Sequence, residues 1–174
     1  AAVSYDPEHG ELYDSRERHL VARIGADAGW LRAGRTRREA VRTALRIRVR
    51  SQVLDLAEAG SALAAALANR AEEHIGTLMP DYTYLQQAQP TTFGHYLLSF
   101  ADPALRDVER LLAEFGNINA SPVGSGAANG SPIVNDRQAA ARVLGFDRAI
   151  EHTRDAMWQF DPFLHVLTAA SSLL

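Results

Sequence analysis

Arginine side chains crowd the stretch from Arg32 to Arg50, which holds eight of the eighteen basic residues in the chain. Four of them recur at steps of four residues: Arg38, Arg42, Arg46 and Arg50. In a helix this spacing places them on one face. Guanidinium groups around a helix start suit a di- or tricarboxylate, because N-terminal amides and bidentate arginines both favour carboxylate oxygens. The alternatives are a solvated charged face and a nucleic-acid surface.

Hydrogen-bonding side chains are concentrated in residues 81–100, DYTYLQQAQPTTFGHYLLSF, directly ahead of a helical pattern. They include Thr83, Tyr84 and Gln89. Among the six histidines, His95 is the best acid–base candidate, because it follows the polar part of this stretch. The chain contains no His-x-x-x-His or Glu-x-x-His pair, so we predict no metal site. No cofactor is predicted either.

A second candidate for anion binding is the loop SPVGSGAANGSP, residues 121–132. Its glycines would allow backbone N–H groups to cradle an anion. A phosphate loop of the GxxxxGK[ST] type is excluded, because that motif needs a lysine and a preceding strand. The alternative is a flexible connection between helices.

The composition excludes several kinds of chemistry. The 174 residues suit one domain, and the absence of cysteine rules out a disulfide scaffold and a thiol nucleophile. All eighteen basic residues are arginine, so no lysine of this chain can form a Schiff base. A net charge of -3 argues against nucleic acid as the main partner. With no leader pattern and no apolar run of membrane-spanning length, we expect a cytoplasmic protein that does not enter a membrane.

One long helix is predicted from Val41 to Ile75, where apolar residues recur at steps of three and four. Gly76 and Pro80 would end it. Such a helix would have about 35 residues and span about 50 Å, which points to a long-helix bundle.

The rest of the chain also shows helical patterns. A helix is predicted from Thr92 to Phe115, broken or kinked at Pro103, followed by a short helix from Asn135 to Leu144 and a last one from Arg148. No segment alternates like a strand, so the predicted class is all-α. The final LTAASSLL has no polar residue after its leucines, which predicts either docking in an interface or a longer parent chain.

Three stretches together resemble argininosuccinate lyase, a family of the aspartase/fumarase superfamily. They are GRTRREAVRTALRIRVR, MPDYTYLQQAQPTTFGHYLLSF and PVGSGAANGSPIVNDRQAAARVLGF, which occur in that family's order and approximate spacing from about Glu11 onward. The resemblance implies a long-helix bundle and a homotetramer whose active sites each combine three subunits. Residues 1–33 would end the N-terminal helical region, and residues 34–174 would form the central bundle.

The resemblance also implies a reaction and its residues. The family cleaves a C–N or C–O bond of a substituted succinate and releases fumarate: a base removes a proton beside a carboxylate, and an acid protonates the leaving group. Arg37 matches the arginine of the family's G-R-S-R-N-D motif, Thr83 the threonine of T-H-L-Q, and Arg137 an arginine that follows the glycine loop. The candidate catalytic residues are Thr83 and Tyr84. The candidate substrate-binding residues are Arg37, Arg38, Thr83, Gln89, Ser125 and Arg137.

The chain departs from the family pattern in three ways. Arg38 replaces an asparagine, with Glu39 and Ala40 in place of aspartate and glutamine, and Tyr84 replaces the histidine of T-H-L-Q. The serine and lysine motif G-S-S-x-M-P-x-K-x-N-P would come beyond Leu174. We therefore expect a C–N lyase that acts on an N-substituted aspartate other than argininosuccinate. The alternatives are a non-catalytic structural or regulatory paralogue and an arginine-rich nucleic-acid-binding bundle.

Overall fold

Residues 3–173 are described by a computed structural model, in which the chain forms two units. The first unit contains the residues up to Arg46 together with Ala120–Gln159, and the second contains Ile47–Asn119 and the residues from Phe160 onward. The boundary predicted between residues 33 and 34 stays a prediction. In residues 3–173 no helix has both the length and the apolar character needed to cross a bilayer.

Helices dominate the chain, as the predicted fold class requires. They are α1 (Leu12–Ile24), α2 (Arg37–Glu73), α3 (Phe93–Ile118), α4 (Arg137–Val143), α5 (Thr153–Trp158) and α6 (Asp161–Leu173). Short 3-10 helices cover Pro7–His9 and Gly25–Leu31. The 37 residues of α2 span about 55 Å. This helix begins four residues before the predicted start, because Thr36 and not a later residue caps it.

The prediction that no strand occurs was wrong. Strands β1 (Leu78–Thr83) and β2 (Gln86–Thr92) form an antiparallel hairpin. Alternation is missing because most of the residues of both strands are exposed, so neither face is marked by apolar side chains. Pro80 faces Pro90 across the pair, and the register shifts between Pro80 and Tyr82. Prolines within a segment and an irregular register both make a strand hard to predict from the sequence pattern.

The predicted boundaries around α3 and α4 need correction. Pro103 lies inside α3 and does not end it, and this helix continues past Gly116. Helix α4 is capped by Asp136 and not by Asn135, since the Asp136 carboxylate accepts a hydrogen bond of 2.7 Å from the N–H of Ala139.

The single last helix that was predicted from Arg148 is two helices. Arg148 and Ala149 form β4, which pairs in parallel with β3 (Ala120–Ser121), and α5 and α6 follow separately. Pro162 lies at the second position of α6, where its missing N–H costs no helix hydrogen bond. Of the predicted apolar end, Leu174 lies outside the described residues.

Each unit has its own core. In the second unit, buried side chains of three helices meet: Val53, Leu111, Ile118, Phe163, Val166 and Ala169. Helices α2 and α3 approach closely there, because a Cβ on Gly60 would lie 2.8 Å from a methyl of Val108. In the first unit a smaller cluster joins Ala141, Phe146 and Ala149, which positions α4 beside β4.

Candidate anion-binding site

The predicted site residues are divided between the two units. Arg37, Arg38, Ser125 and Arg137 belong to the first unit, and Thr83, Tyr84 and Gln89 belong to the second. Within the first unit, the structure brings the start of α2 and the glycine loop into direct contact. Within the second, the three residues lie on the hairpin.

The start of α2 presents two exposed arginines. A guanidinium nitrogen of Arg37 lies 3.3 Å from a carboxylate oxygen of Glu11, an exposed ion pair that contributes little to stability. The guanidinium of Arg38 stacks over the ring of Trp158 at 4.6 Å, and that of Arg154 lies 5.6 Å from the same ring. The Trp158 ring thus holds a cation at the first turn of α2. Because its ion pair with Glu11 is weak, Arg37 can release Glu11 and bind the carboxylate of a ligand.

The next arginines on the same face turn away from solvent. Arg42 and Arg46 are buried, and Arg50 donates a hydrogen bond of 2.7 Å to the side-chain oxygen of Asn119. Burial, together with the positive charge of Arg38, lowers the pKa of Arg42 from its ordinary value. Because Arg42 and Arg46 are buried, the regularly spaced arginines do not form a solvated charged face.

The glycine loop is tightly folded. Ser125 is fully buried, and its carbonyl oxygen accepts a hydrogen bond of 2.9 Å from the N–H of Gly130. Gly126 has φ +61°, and a Cβ at this position would lie 2.3 Å from the carbonyl oxygen of Gly130. Only glycine fits a backbone that closes on itself in this way. The loop is therefore an ordered turn with fixed N–H directions, and not the flexible connection that was the alternative interpretation.

Arg137 fastens the loop to its surroundings. Its guanidinium donates to the carbonyls of Ile150 at 2.6 Å, Glu151 at 3.0 Å and Val123 at 3.3 Å. It also donates to the hydroxyl of Ser125 at 3.2 Å. Because an arginine has five N–H donors, most of its capacity is already used within the protein. A carboxylate ligand would share the donors of Arg137 with these carbonyls.

Glu39 is the site residue that the predictions missed. Its side chain is fully buried, and one carboxylate oxygen accepts a hydrogen bond of 2.7 Å from the N–H of Gly126. Burial raises the pKa of Glu39, while hydrogen bonds from the loop and the charges of Arg35 and Arg137 oppose this rise. The sequence contains only a local signal: Thr36 and Glu39 have the spacing of a helix capping box, which predicts a helix start and not a contact with the loop.

The hairpin presents its candidates to solvent. Tyr84 and Leu85 form the two-residue connection, both with positive φ, and their side chains are 99% and 100% exposed. Two left-handed residues are what a type I′ hairpin turn requires, although neither residue is the usual asparagine or glycine. Thr83 and Gln89 on the strands are exposed as well. Within the second unit these groups therefore point into solvent.

Metal ligands do not converge in the part of the chain that the structure describes: no three His, Asp or Glu side chains of residues 3–173 could hold an ion together. His95 is exposed, and its backbone N–H donates to the hydroxyl of Thr92 at the start of α3.

A family model described as lyase matches residues 10–174. Among curated proteins, the chain is similar to argininosuccinate lyase of Natronomonas pharaonis, with 38% identity over 95% of this chain and 35% of that protein. It is also similar to argininosuccinate lyases of Methanocorpusculum labreanum, with 37% identity over 98% of this chain, and of Anoxybacillus flavithermus, with 35% identity over 99%.

Solved structures of a lyase also resemble the chain. A crystal structure of EDDS lyase in complex with formate superposes with a TM-score of 0.87 and 27% identity, covering 91% of this chain and 32% of that one. An EDDS lyase variant with bound fumarate gives the same values. The chain spans about a third of the length of these relatives.

Proposed function

The chain belongs to this lyase family, and from that premise we propose that it forms part of a carbon–nitrogen lyase that releases fumarate from an N-substituted aspartate. The observation that carries the proposal is the similarity to argininosuccinate lyases over nearly the whole chain. The cationic start of α2 beside an ordered glycine loop supports it, because a succinyl group offers two carboxylates.

In the proposed reaction a base removes a proton from the carbon beside one carboxylate, and the electron pair left behind forms the double bond of fumarate as the C–N bond breaks. The nitrogen leaves with a proton supplied by an acid. Arg37 and Arg137 bind carboxylate oxygens, and Ser125 with the loop N–H groups holds the negative charge that develops. Thr83 and Gln89 bind the substrate from the hairpin. Tyr84 is the acid that protonates the departing nitrogen, and no cofactor takes part.

The leaving amine of the proposed substrate is not a guanidinium compound. Arg38 keeps a fixed positive charge over Trp158 at the first turn of α2, and Arg154 adds another beside the same ring. Like charges in one site repel a cationic substrate group, whereas a neutral or acidic amine portion avoids this cost. An N-substituted aspartate other than argininosuccinate fits this charge pattern best.

A homotetramer in the cytoplasm is part of the proposal. Helix α2 carries large exposed apolar side chains on two sides: Val41, Leu45 and Leu63 on one, and Leu54 on the other. Large apolar side chains left in contact with water are typical of surfaces that bind another copy or a partner. The partners proposed are thus further copies of the chain and a small dicarboxylate substrate, with neither nucleic acid nor a membrane.

The test is fumarate release, followed by ultraviolet absorbance, from argininosuccinate, adenylosuccinate and N-substituted aspartates with neutral or acidic amines. The complete protein is used, and its mass is checked beforehand. We expect turnover to be fastest with a neutral or acidic amine. Arg37→Ala should lower kcat/KM by about 10²-fold, whereas Arg48→Ala, an exposed arginine on the same helix, should not. No fumarate from any of these substrates would favour the non-catalytic paralogue.

A further inference from the structure

Gly126 is held at both ends by residues from the start of α2. The carboxylate of Glu39 accepts from its N–H at 2.7 Å, and the hydroxyl of Thr36 donates to its carbonyl oxygen at 3.1 Å. Glu39 lies 87 residues before Gly126 in the chain. These two bonds therefore fix the peptide groups on both sides of Gly126 in a position that neither segment would impose alone.

The bond from Glu39 replaces a local one. Thr36 and Glu39 have the spacing of a capping box, and the hydroxyl of Thr36 accepts from the N–H of Glu39 at 3.3 Å, as the first half of that motif requires. In the second half the glutamate would accept from the N–H of the capping residue. Here the Glu39 carboxylate accepts from the N–H of Gly126 in the loop instead, so it stabilises the loop and not the start of its own helix.

Burying the carboxyl of Glu39 costs free energy of folding. Its side chain is fully buried, and within residues 3–173 its second oxygen, Oε1, has no hydrogen-bond partner. A buried polar atom without a partner weakens the fold, and an apolar side chain of similar size would avoid that cost. Its presence points to a role other than stability.

The position of Gly126 determines where two proposed substrate-binding residues lie, Ser125 and Arg137. Ser125 precedes Gly126 directly, its carbonyl accepts the N–H of Gly130 at 2.9 Å, and its hydroxyl accepts from Arg137 at 3.2 Å. A shift of Gly126 would therefore move the Ser125 hydroxyl and break its bond with Arg137. This inference rests on the proposed function. We propose that Glu39 is a positioning residue: through Gly126 it holds the loop from Gly124 to Gly130 in the arrangement that keeps Ser125 against Arg137 and presents the remaining loop N–H groups to substrate.

The test compares Glu39→Ala, Glu39→Gln and a control, Glu58→Ala, which removes an exposed carboxylate from the same helix. Hydrogen exchange is measured by mass spectrometry on peptides covering residues 124–130, and on peptides of the hairpin as an internal reference. Alanine should speed exchange in the loop about tenfold, as expected for losing one charge-assisted hydrogen bond. Glutamine keeps an oxygen for Gly126 and should restore most of the protection.

Kinetics separate positioning from general destabilisation. In Glu39→Ala the substrate KM should rise about tenfold with a smaller fall in kcat, and Glu39→Gln should recover most of the KM. Loop exchange like that of Glu58→Ala, or an unchanged KM in an active enzyme, would overturn the inference while the proposed function stands. If the wild type releases no fumarate, the proposed function fails, and the exchange data alone decide whether Glu39 fixes the loop. If alanine prevents folding, unaltered loop exchange and KM in Glu39→Asp, which is one methylene shorter, would overturn the inference.

Discussion

The phenol of Tyr84 lies at the tip of the hairpin, 99% exposed and held by a backbone with φ +49°. A non-glycine residue with this φ is uncommon, and histidine is among the residues that tolerate it best. The side chain has no structural task in its own unit, so its chemical identity can be changed without loss of packing. This makes the position a direct test of the acid role.

Replacing Tyr84 by phenylalanine should lower kcat by about 10²-fold, because the ring keeps its shape but has no proton to give. Tyr84→His should retain activity and move the pH profile of kcat toward neutral pH, since an imidazole titrates near 6.5 and a phenol near 10. The pH dependence of fumarate release measures both. Tyr82→Phe, an exposed tyrosine on the adjacent strand, is the control. Equal kcat in Tyr84→Phe and wild type would remove Tyr84 from the mechanism.

The buried carboxyl of Glu39 should make stability depend on pH. Burial raises its folded-state pKa above the ordinary value of 4.5, so the folded chain binds this proton more tightly than the unfolded chain. Protonation of Glu39 thus favours the folded chain, and this stabilisation is fully present below pH 4.5 and is lost as pH rises through the folded-state pKa.

In the Glu39→Gln variant an amide replaces the carboxyl, and an amide does not lose a proton in this pH range. Its free energy of unfolding minus that of the wild type should therefore rise with pH above 4.5. Urea denaturation at a series of pH values and one protein concentration measures this difference. The same series for Glu58→Gln, on the exposed side of α2, gives the baseline. A difference that stays flat or falls with pH would contradict the assignment.

At the scale of elements, the glycine loop and the hairpin meet the same demand for left-handed backbone in different ways. The loop uses glycine at Gly124, Gly126 and Gly130, which all have positive φ. The hairpin instead places Tyr84 and Leu85 in that region, where side chains carry an energetic cost. The loop conformation is therefore built into the sequence, whereas the hairpin tip keeps strained side chains whose exposure suits contact with another molecule.

Gly126→Ala should lower the free energy of unfolding by about 1–3 kcal/mol, because alanine at this φ is strained and its Cβ would collide with Gly130. The same substitution at Gly116 should be neutral or stabilise by up to about 1 kcal/mol, since that position lies in α3 and an added Cβ would meet open space. Chemical denaturation of both variants gives the comparison. If the two substitutions have the same effect, the loop backbone is not as constrained as described.

At the scale of the whole molecule, much apolar surface lies outside the two cores. Leu54 and Leu63 on α2 are exposed, as are Leu164 and Leu167 on α6. Leu111, by contrast, is fully buried in the core of the second unit. A helix face with large apolar side chains on the solvent side gains stability when another helix covers it. The proposed homotetramer would provide that cover.

Leu54→Asp should reduce the mass of the assembly in solution, because a charge on a covered helix face must be desolvated. Far-ultraviolet circular dichroism should stay helical, since Leu54 is exposed within the chain and its replacement disturbs no core. Asp55→Ala, the next residue and also exposed, is the matched control. Light scattering gives the mass of each variant. An unchanged mass in Leu54→Asp would place the interface elsewhere.

Some of this architecture could be derived from the sequence because it rests on local periodicity. The apolar period of α2 predicted a helix of nearly the observed length, since an apolar period of 3.6 sustained over many turns is characteristic of one continuous helix. The match of three motifs to one lyase family could be seen for the same reason, because motif residues and spacings are properties of the linear chain. The helical class and the family are confirmed by the structural neighbours and the family match.

Tertiary structure alone decided the rest, because contacts between distant residues leave little trace in local patterns. No period revealed the hairpin, whose strands are exposed on both sides. The bond between Glu39 and Gly126 joins residues 87 positions apart, and a capping motif gave no hint that its carboxylate serves the loop. The burial of Arg42 and Arg46 was likewise hidden, since their regular spacing fits a solvated face equally well. Sequence thus determined the helical class, the long helix α2 and the kinship, and folding determined which charged side chains are buried and what they hold in place.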